Sequence, residues 1–187
     1  MLAYKAFRKG LVCRGYQFRL GKKHTEEFAN VIGNKGATGG FHAATDPLDC
    51  LSYYPDAKNS VFCIVDCGGD IDEDASDSKV ACTELTVIRK LTLQDYVLQC
   101  LLHIAKNGIP KNNGHVKLER GEAFNGYTLV CGRAPLALGK RGDVLGLLQH
   151  DGKGHVLGIA VHTVDGDTFR EDVYYDIGGR EEKQNAG

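Results

Sequence analysis

Hydrophobic and polar positions along the chain follow two periods, and the predicted elements come from them. Residues 2–7 (LAYKAF) and 15–20 (GYQFRL) are short runs rich in aromatic residues, parted by a glycine-bounded turn, and both read as strands. Residues 41–44 (FHAA) finish another. Residues 60–68 (SVFCIVDCG) are almost continuously apolar, the pattern of a central strand covered on both sides, and residues 79–88 (KVACTELTVI) resume the sheet. After Thr92 the period changes to that of a helix. Leu93, Tyr96, Val97, Cys100, Leu101 and Ile104 form one stripe, while Gln94, Asp95, Gln99 and Lys106 face away. Asn107, Gly108 and Pro110 end it. A shorter helix follows the strand at 41–44. Asp46 can accept from its first free amides, Pro47 suits its first position, Asp49 adds a favourable charge and Pro55 stops it.

Past residue 110 the signals become glycine-rich and β-like. AFNGYTLV carries the Asn-Gly of a tight hairpin, and the runs 143–150, 155–164 and 169–177 predict a three-stranded antiparallel meander. Residues 106–114 (KNGIPKNNG) form the natural boundary. The expected fold is therefore α+β: a mixed or antiparallel sheet with two main helices, followed by a C-terminal antiparallel β meander. The expected division is 1–108, 109–178 and a frayed tail at 179–187, with 33–40 (GNKGATGG) as a mobile loop.

Composition narrows the classes. With 187 residues, 42% of them hydrophobic, the chain can bury one good core or two small ones. A net charge of −1 argues against a strongly basic nucleic-acid binder. No apolar run approaches the roughly 20 residues that span a bilayer, and MLAYKAFRKG lacks the apolar segment of a secretion signal, so a cytosolic protein is expected. The seven cysteines are odd in number, scattered, and free of any CxxC, which fits a reducing compartment and a role as small buried hydrophobes. Cys63 and Cys67, four apart on a strand, would lie about 13 Å apart at ~3.3 Å per residue, too far to chelate.

Charge is unevenly distributed. Lys5, Arg8, Lys9, Arg14, Arg19, Lys22 and Lys23 all precede the first acid, Glu26, and are interleaved with Tyr4, Phe7, Tyr16 and Phe18. Such a region can hold phosphates or an acidic surface, or simply discourage edge-to-edge aggregation. Asp70, Asp72, Glu73, Asp74 and Asp77 suggest an acidic turn, but the glycine and terminal glutamate of a calcium loop are missing. His150, His155 and His162 fall in the meander without ligand-spaced partners, so no metal is expected. His103, near a helix end, reads as structural. GxSxG, GxxxxGK[ST], HExxH and GxGxxG are all absent.

The segments YKAFRKGLVCRGYQF, GGFHAATDPLDCLSYY, VFCIVDCGGDI and DSKVACTELTV, with the closing VDGDTFREDVYYDI, resemble a family of bacteriophage- and prophage-encoded proteins of unknown function. Its members share an N-terminal block of about half this chain's length and often carry an alanine- and glycine-rich repeat before a short C-terminal β unit. Here that repeat is missing or reduced to FNGYTLVCGRAPLALGKRGD. The resemblance implies a phage setting: the cytoplasm of an infected or lysogenic bacterium, or the virion. A weaker resemblance, carried by AYKAF, GGFHAATDPLDCLSYY and VFCIVD, is to the opening of ADP-ribosyltransferase-like domains. It implies an enzyme using NAD, with His42 and Thr45 lining a nicotinamide pocket, Tyr53 or Tyr54 stacking on a ring, and Glu84 polarising the ribose. Lys5 stands where that family places His or Arg, and it lacks arginine's forked donors.

Two expectations follow. The first is a non-catalytic accessory binding protein without cofactor, which modulates host defence through a nucleotide or a host or phage protein, or serves the virion. Its ligand-binding candidates are Lys5, Arg14, His42, Tyr53 and Tyr54; nucleic acid is left open as a partner but not favoured, no membrane is expected, and self-association is left open. The second is the NAD-dependent transferase, with His42, Thr45 and Glu84 as catalytic candidates.

Overall fold

A computed structural model of the chain describes residues 1–30, 39–74, 78–111 and 113–182. The chain divides into two compact units, 1–92 and 93–187, and the fold is mixed α and β, mostly β. The division falls ahead of the long helix rather than after it, where the glycine- and proline-rich stretch had suggested. The helix belongs with the second unit because its apolar stripe packs on that unit's strands.

In the first unit the strands are β1 (Leu2–Arg8), β2 (Val12–Cys13), β3 (Tyr16–Gln17), β4 (Lys23–Thr25), β5 (Phe41–Ala44), β6 (Ser60–Glu73) and β7 (Lys79–Lys90). β1 pairs β6 along its whole length, from Leu2 opposite Asp66 to Arg8 opposite Ser60. β6 pairs β7, β7 pairs β5, and β5 returns to β1 through Tyr4 opposite Ala44. These four strands close on themselves, all antiparallel, which removes the open edges a flat sheet would leave. Ala3, Phe7, Phe41, Ala43, Cys63, Val65, Cys67 and Cys82 share one buried cluster with Phe18 and Leu85. Burying a residue such as Phe7 contributes about 1.5–3 kcal/mol.

Helix α1 (Pro47–Tyr53) packs against β1 and β5 through Leu48 and Leu51. It starts as its sequence dictates, with Asp46 accepting from the Leu48 amide at 2.8 Å and Pro47 at the first position. Two expectations fail locally. The run 15–20 forms only the two-residue β3. The acidic residues from Asp70 to Glu73 continue β6 instead of turning, because a bulge between Gly68 and Ile71 lets the strand go on pairing with β7. Asp77 and most of the loop expected at 33–40 lie outside the described residues.

The second unit holds α2 (Leu93–Asn107), β8 (Val116–Glu122), β9 (Tyr127–Leu138), β10 (Val144–His150) and β11 (Val156–Thr163). Tyr96, Val97, Cys100, Leu101 and Ile104 of α2 are buried, as the period predicts. Gly146 makes room for the helix, since a Cβ there would stand 2.5 Å from Val97 Cγ1. The antiparallel meander does not form. β8 and β9 run parallel, β9 and β10 run parallel, and only β10 and β11 are antiparallel. Parallel neighbours ordinarily need a crossover of a dozen or more residues. Here residues 123–126 and 139–143 suffice because the strands bend back within themselves. Pairing breaks after Leu118, where Glu119 has φ +61°, and resumes at Arg120 opposite Leu136. The chain thus stacks short coils. The Glu119 carboxylate accepts from the Arg133 and Ala134 amides at 2.9 and 3.2 Å, tying one bend to the next, and these amides hold its carboxyl below the usual range.

The predicted Asn-Gly turn forms, with Asn125 at φ +54° and Phe124 N–H donating to Tyr127 O, but it links parallel strands. Residues 169–177 make isolated bridges instead of a third strand. The tail is held further than expected: Glu181 pairs with Arg170 and Glu182 with Arg120, each at 2.6 Å. Residues 183–187 lie outside the described residues. No helix among the described residues is long and apolar enough to cross a membrane.

Candidate functional site

A cavity of about 310 Å³ opens in the first unit where β1 and β5 meet, lined by residues 4–6 of one strand and 41–44 of the other. Its most unusual wall is Lys5. Strand alternation puts Lys5 on the same side as Ala3 and Phe7, so the side chain enters the core and is only 7% exposed. Its Nζ donates to the His42 carbonyl oxygen and stands 5.5 Å from the ring centroids of both Phe7 and Phe18. Cation–π contact of this kind contributes about 0.5–2 kcal/mol. Among the described residues no carboxylate pairs with Lys5.

The remaining walls are basic and aromatic. His42 Nε2 lies 3.3 Å from the Asn30 carbonyl, and burial, then the nearby Lys5 charge, holds the imidazole below its ordinary 6.5. Arg14 reaches the cavity from a turn in which it adopts φ +49°. Tyr53 and Tyr54 arrive from the end of α1, Tyr53 largely exposed. Tyr54 Oη donates to Cys13 Sγ at 3.4 Å, and burial followed by that bond pushes the phenol well above its usual value. The five residues expected to bind a ligand, Lys5, Arg14, His42, Tyr53 and Tyr54, therefore line one cavity.

Residues 1–99 match the model of a family described as a domain of unknown function, DUF7666. The chain belongs to that family. No curated protein and no solved structure matches the chain. The DUF7666 match covers every residue of the cavity.

Within the DUF7666 domain, Thr45 and Glu84 stand apart from the cavity lining. Thr45 Oγ1 donates to the Ser78 carbonyl at 3.4 Å, and Glu84 takes Lys23 Nζ at 2.7 Å on the β7 side that faces β4. His42, Thr45 and Glu84 are thus not brought together around this pocket.

Three lining or supporting residues escape sequence reasoning. His24 is 5% exposed. Its Nε2 accepts from the Arg19 amide at 3.1 Å, which leaves the proton of the neutral ring on Nδ1, facing Tyr16 Oη at 3.1 Å. Tyr16 then lines the cavity. Lys79, also lining it, reaches Asp74 at 3.5 Å. Cys13 is half-buried there, whereas the other six cysteines are buried. No sequence signal marks His24, since Lys23, His24 and Thr25 are all polar and only the fold buries the middle one.

Among the described residues no cluster of His, Cys, Asp or Glu could hold a metal. His155 Nδ1 pairs with Asp151 at 2.6 Å, His150 Nδ1 accepts from the Gly152 amide, and His162 stacks on Phe169 at 4.5 Å.

Proposed function

We propose that the chain is a non-catalytic binding protein whose DUF7666 cavity takes a small ligand bearing an anionic group beside a flat ring, with a nucleotide as the ligand class. One observation carries this reading: Lys5, only 7% exposed and without a carboxylate partner among the described residues, stands on the wall of a cavity. A desolvated charge is costly unless something of opposite sign meets it. A bound phosphate or carboxylate would do so, and Tyr16, Tyr53 and Tyr54 offer faces for a ring. The bacteriophage or prophage setting, with action on a host-defence component or in the virion, belongs to the same proposal and rests on the segment resemblance described above. The transferase reading draws less support, since Glu84 and Thr45 are engaged elsewhere.

Calorimetric titration with adenosine monophosphate, NAD and adenosine tests the reading. Saturable binding of the two phosphorylated compounds, weaker binding of adenosine, and loss of both in Lys5→Met are expected. Equal affinity for adenosine, or binding that survives Lys5→Met, would refute it. Transfer of ADP-ribose from NAD, detected by mass spectrometry, would favour the enzyme instead.

A further inference from the structure

His24 is buried on β4 among the rings of Tyr16, Phe18 and Phe41, whose centroids lie 5.5, 5.0 and 6.3 Å from its own. An imidazole in such company is costly unless both nitrogens are bonded, and both are. The Arg19 amide can only donate, so Nε2 accepts at 3.1 Å, the neutral ring keeps its proton on Nδ1, and Nδ1–H donates to Tyr16 Oη, also at 3.1 Å. Donation therefore runs one way, from amide to imidazole to phenol. The phenol accepts from behind and keeps its own O–H to give. Among the described residues that hydroxyl has no second hydrogen-bond partner, and Tyr16 lines the cavity. Ring contacts with Phe18 and Phe41, at 4.8 and 5.4 Å, and the pairing of Tyr16 with Cys13 hold the side chain in place.

We infer that Tyr16 is a binding residue whose hydroxyl donates a hydrogen bond to a phosphate oxygen of the ligand, and that His24 is the positioning residue that makes Tyr16 a donor. The inference rests on the nucleotide reading of this cavity and adds the atom that tells a phosphorylated ligand from an unphosphorylated one. His24 acts here without touching the ligand. Aligned donors polarise one another, so the phenol O–H at the end of the chain is a stronger donor than an isolated one, and an anionic acceptor draws the most from it. Were the phenol to donate to His24 instead, it would show the ligand only its lone pairs. An anion would then be repelled. The Arg19 amide forbids that arrangement, because it occupies the nitrogen that would otherwise hold the imidazole proton.

The test titrates the full chain with adenosine monophosphate and with adenosine, as wild type, Tyr16→Phe, His24→Leu and the double variant. Tyr16→Phe removes one oxygen from an exposed side chain. It is expected to lower affinity for adenosine monophosphate about tenfold or more and to leave adenosine unchanged. His24→Leu should cost a similar factor, yet nothing further in the Tyr16→Phe background, because its effect passes through the hydroxyl. A histidine that served only the architecture would lower affinity in both backgrounds. Nitrogen resonances of the wild-type imidazole give a second reading that holds even where His24→Leu does not fold: His24 should carry its proton on Nδ1 and none on Nε2. An undiminished preference for adenosine monophosphate in Tyr16→Phe, equal losses from His24→Leu with and without the hydroxyl, or a proton on Nε2 would overturn the inference while the pocket reading stands. A wild type that binds neither compound removes both.

Discussion

At the scale of the residue, Lys5 is the feature on which the ligand proposal rests. Lys5→Met removes a desolvated charge together with its hydrogen bond to the His42 carbonyl, two losses of opposite sign that offset each other to within about 1–2 kcal/mol. Lys5→Met is therefore expected to leave the melting temperature little changed while abolishing nucleotide binding. A marked drop in melting temperature would instead make Lys5 structural. His42 supplies a second test. Its folded value lies below the 6.5 of the unfolded chain, through burial and the Lys5 charge. As pH falls, the unfolded chain takes the proton first, so the stability His42 confers is present above about 6.5 and drains away below it. Urea unfolding of wild type should weaken from about pH 7 to pH 5 by more than that of His42→Gln. Equal slopes would place the titration elsewhere. The basic and aromatic residues of the cavity were legible because they crowd ahead of the first acid. Lys5 was not legible as buried: the sequence shows a lysine in a strand, and only the neighbouring Ala3 and Phe7, on its own side, make that side the inside.

At the scale of the element, local chemistry spoke clearly wherever it acts within a few residues. Asp46, Pro47 and Pro55 delimit α1, and the apolar stripe defines α2. Bends in the coils of the second unit did not announce themselves. They depend on Glu119 meeting amides fourteen residues away, a partnership with no period to read. Glycines reveal similar constraints after the fact. Gly40 has φ +81°, and a Cβ there would stand 2.7 Å from Phe28 O and 2.8 Å from Cys82 O. Both atoms are backbone and cannot step aside. Gly40→Ala should thus cost about 1–3 kcal/mol in chemical denaturation, and it should weaken nucleotide binding, since Gly40 lines the cavity. A neutral result would mean that the loop before β5 is free to relax.

At the scale of the whole molecule, each unit is described with its own buried cluster, one around Phe7 and Val65, the other around Leu145 and Tyr175. All residues lining the cavity fall in 1–79. A chain ending at Thr92 is expected to fold by itself and retain nucleotide binding, read by dispersed amide resonances and by titration; a collapsed spectrum would show that the second unit is required. Closure of the four strands could not be foreseen, because it joins Leu2 to Asp66 and Tyr4 to Ala44, contacts set by distance along the chain and not by pattern. That closure is uneven. β1 lies against β6 through seven paired residues, but against β5 through one, Tyr4 with Ala44. The cylinder is laced most thinly along one slit, and the slit is where Lys5 reaches for the carbonyl of His42. A guest lodged there would act as a stitch, so amides flanking the slit should exchange with solvent soonest in the empty protein and slow the most once it is filled.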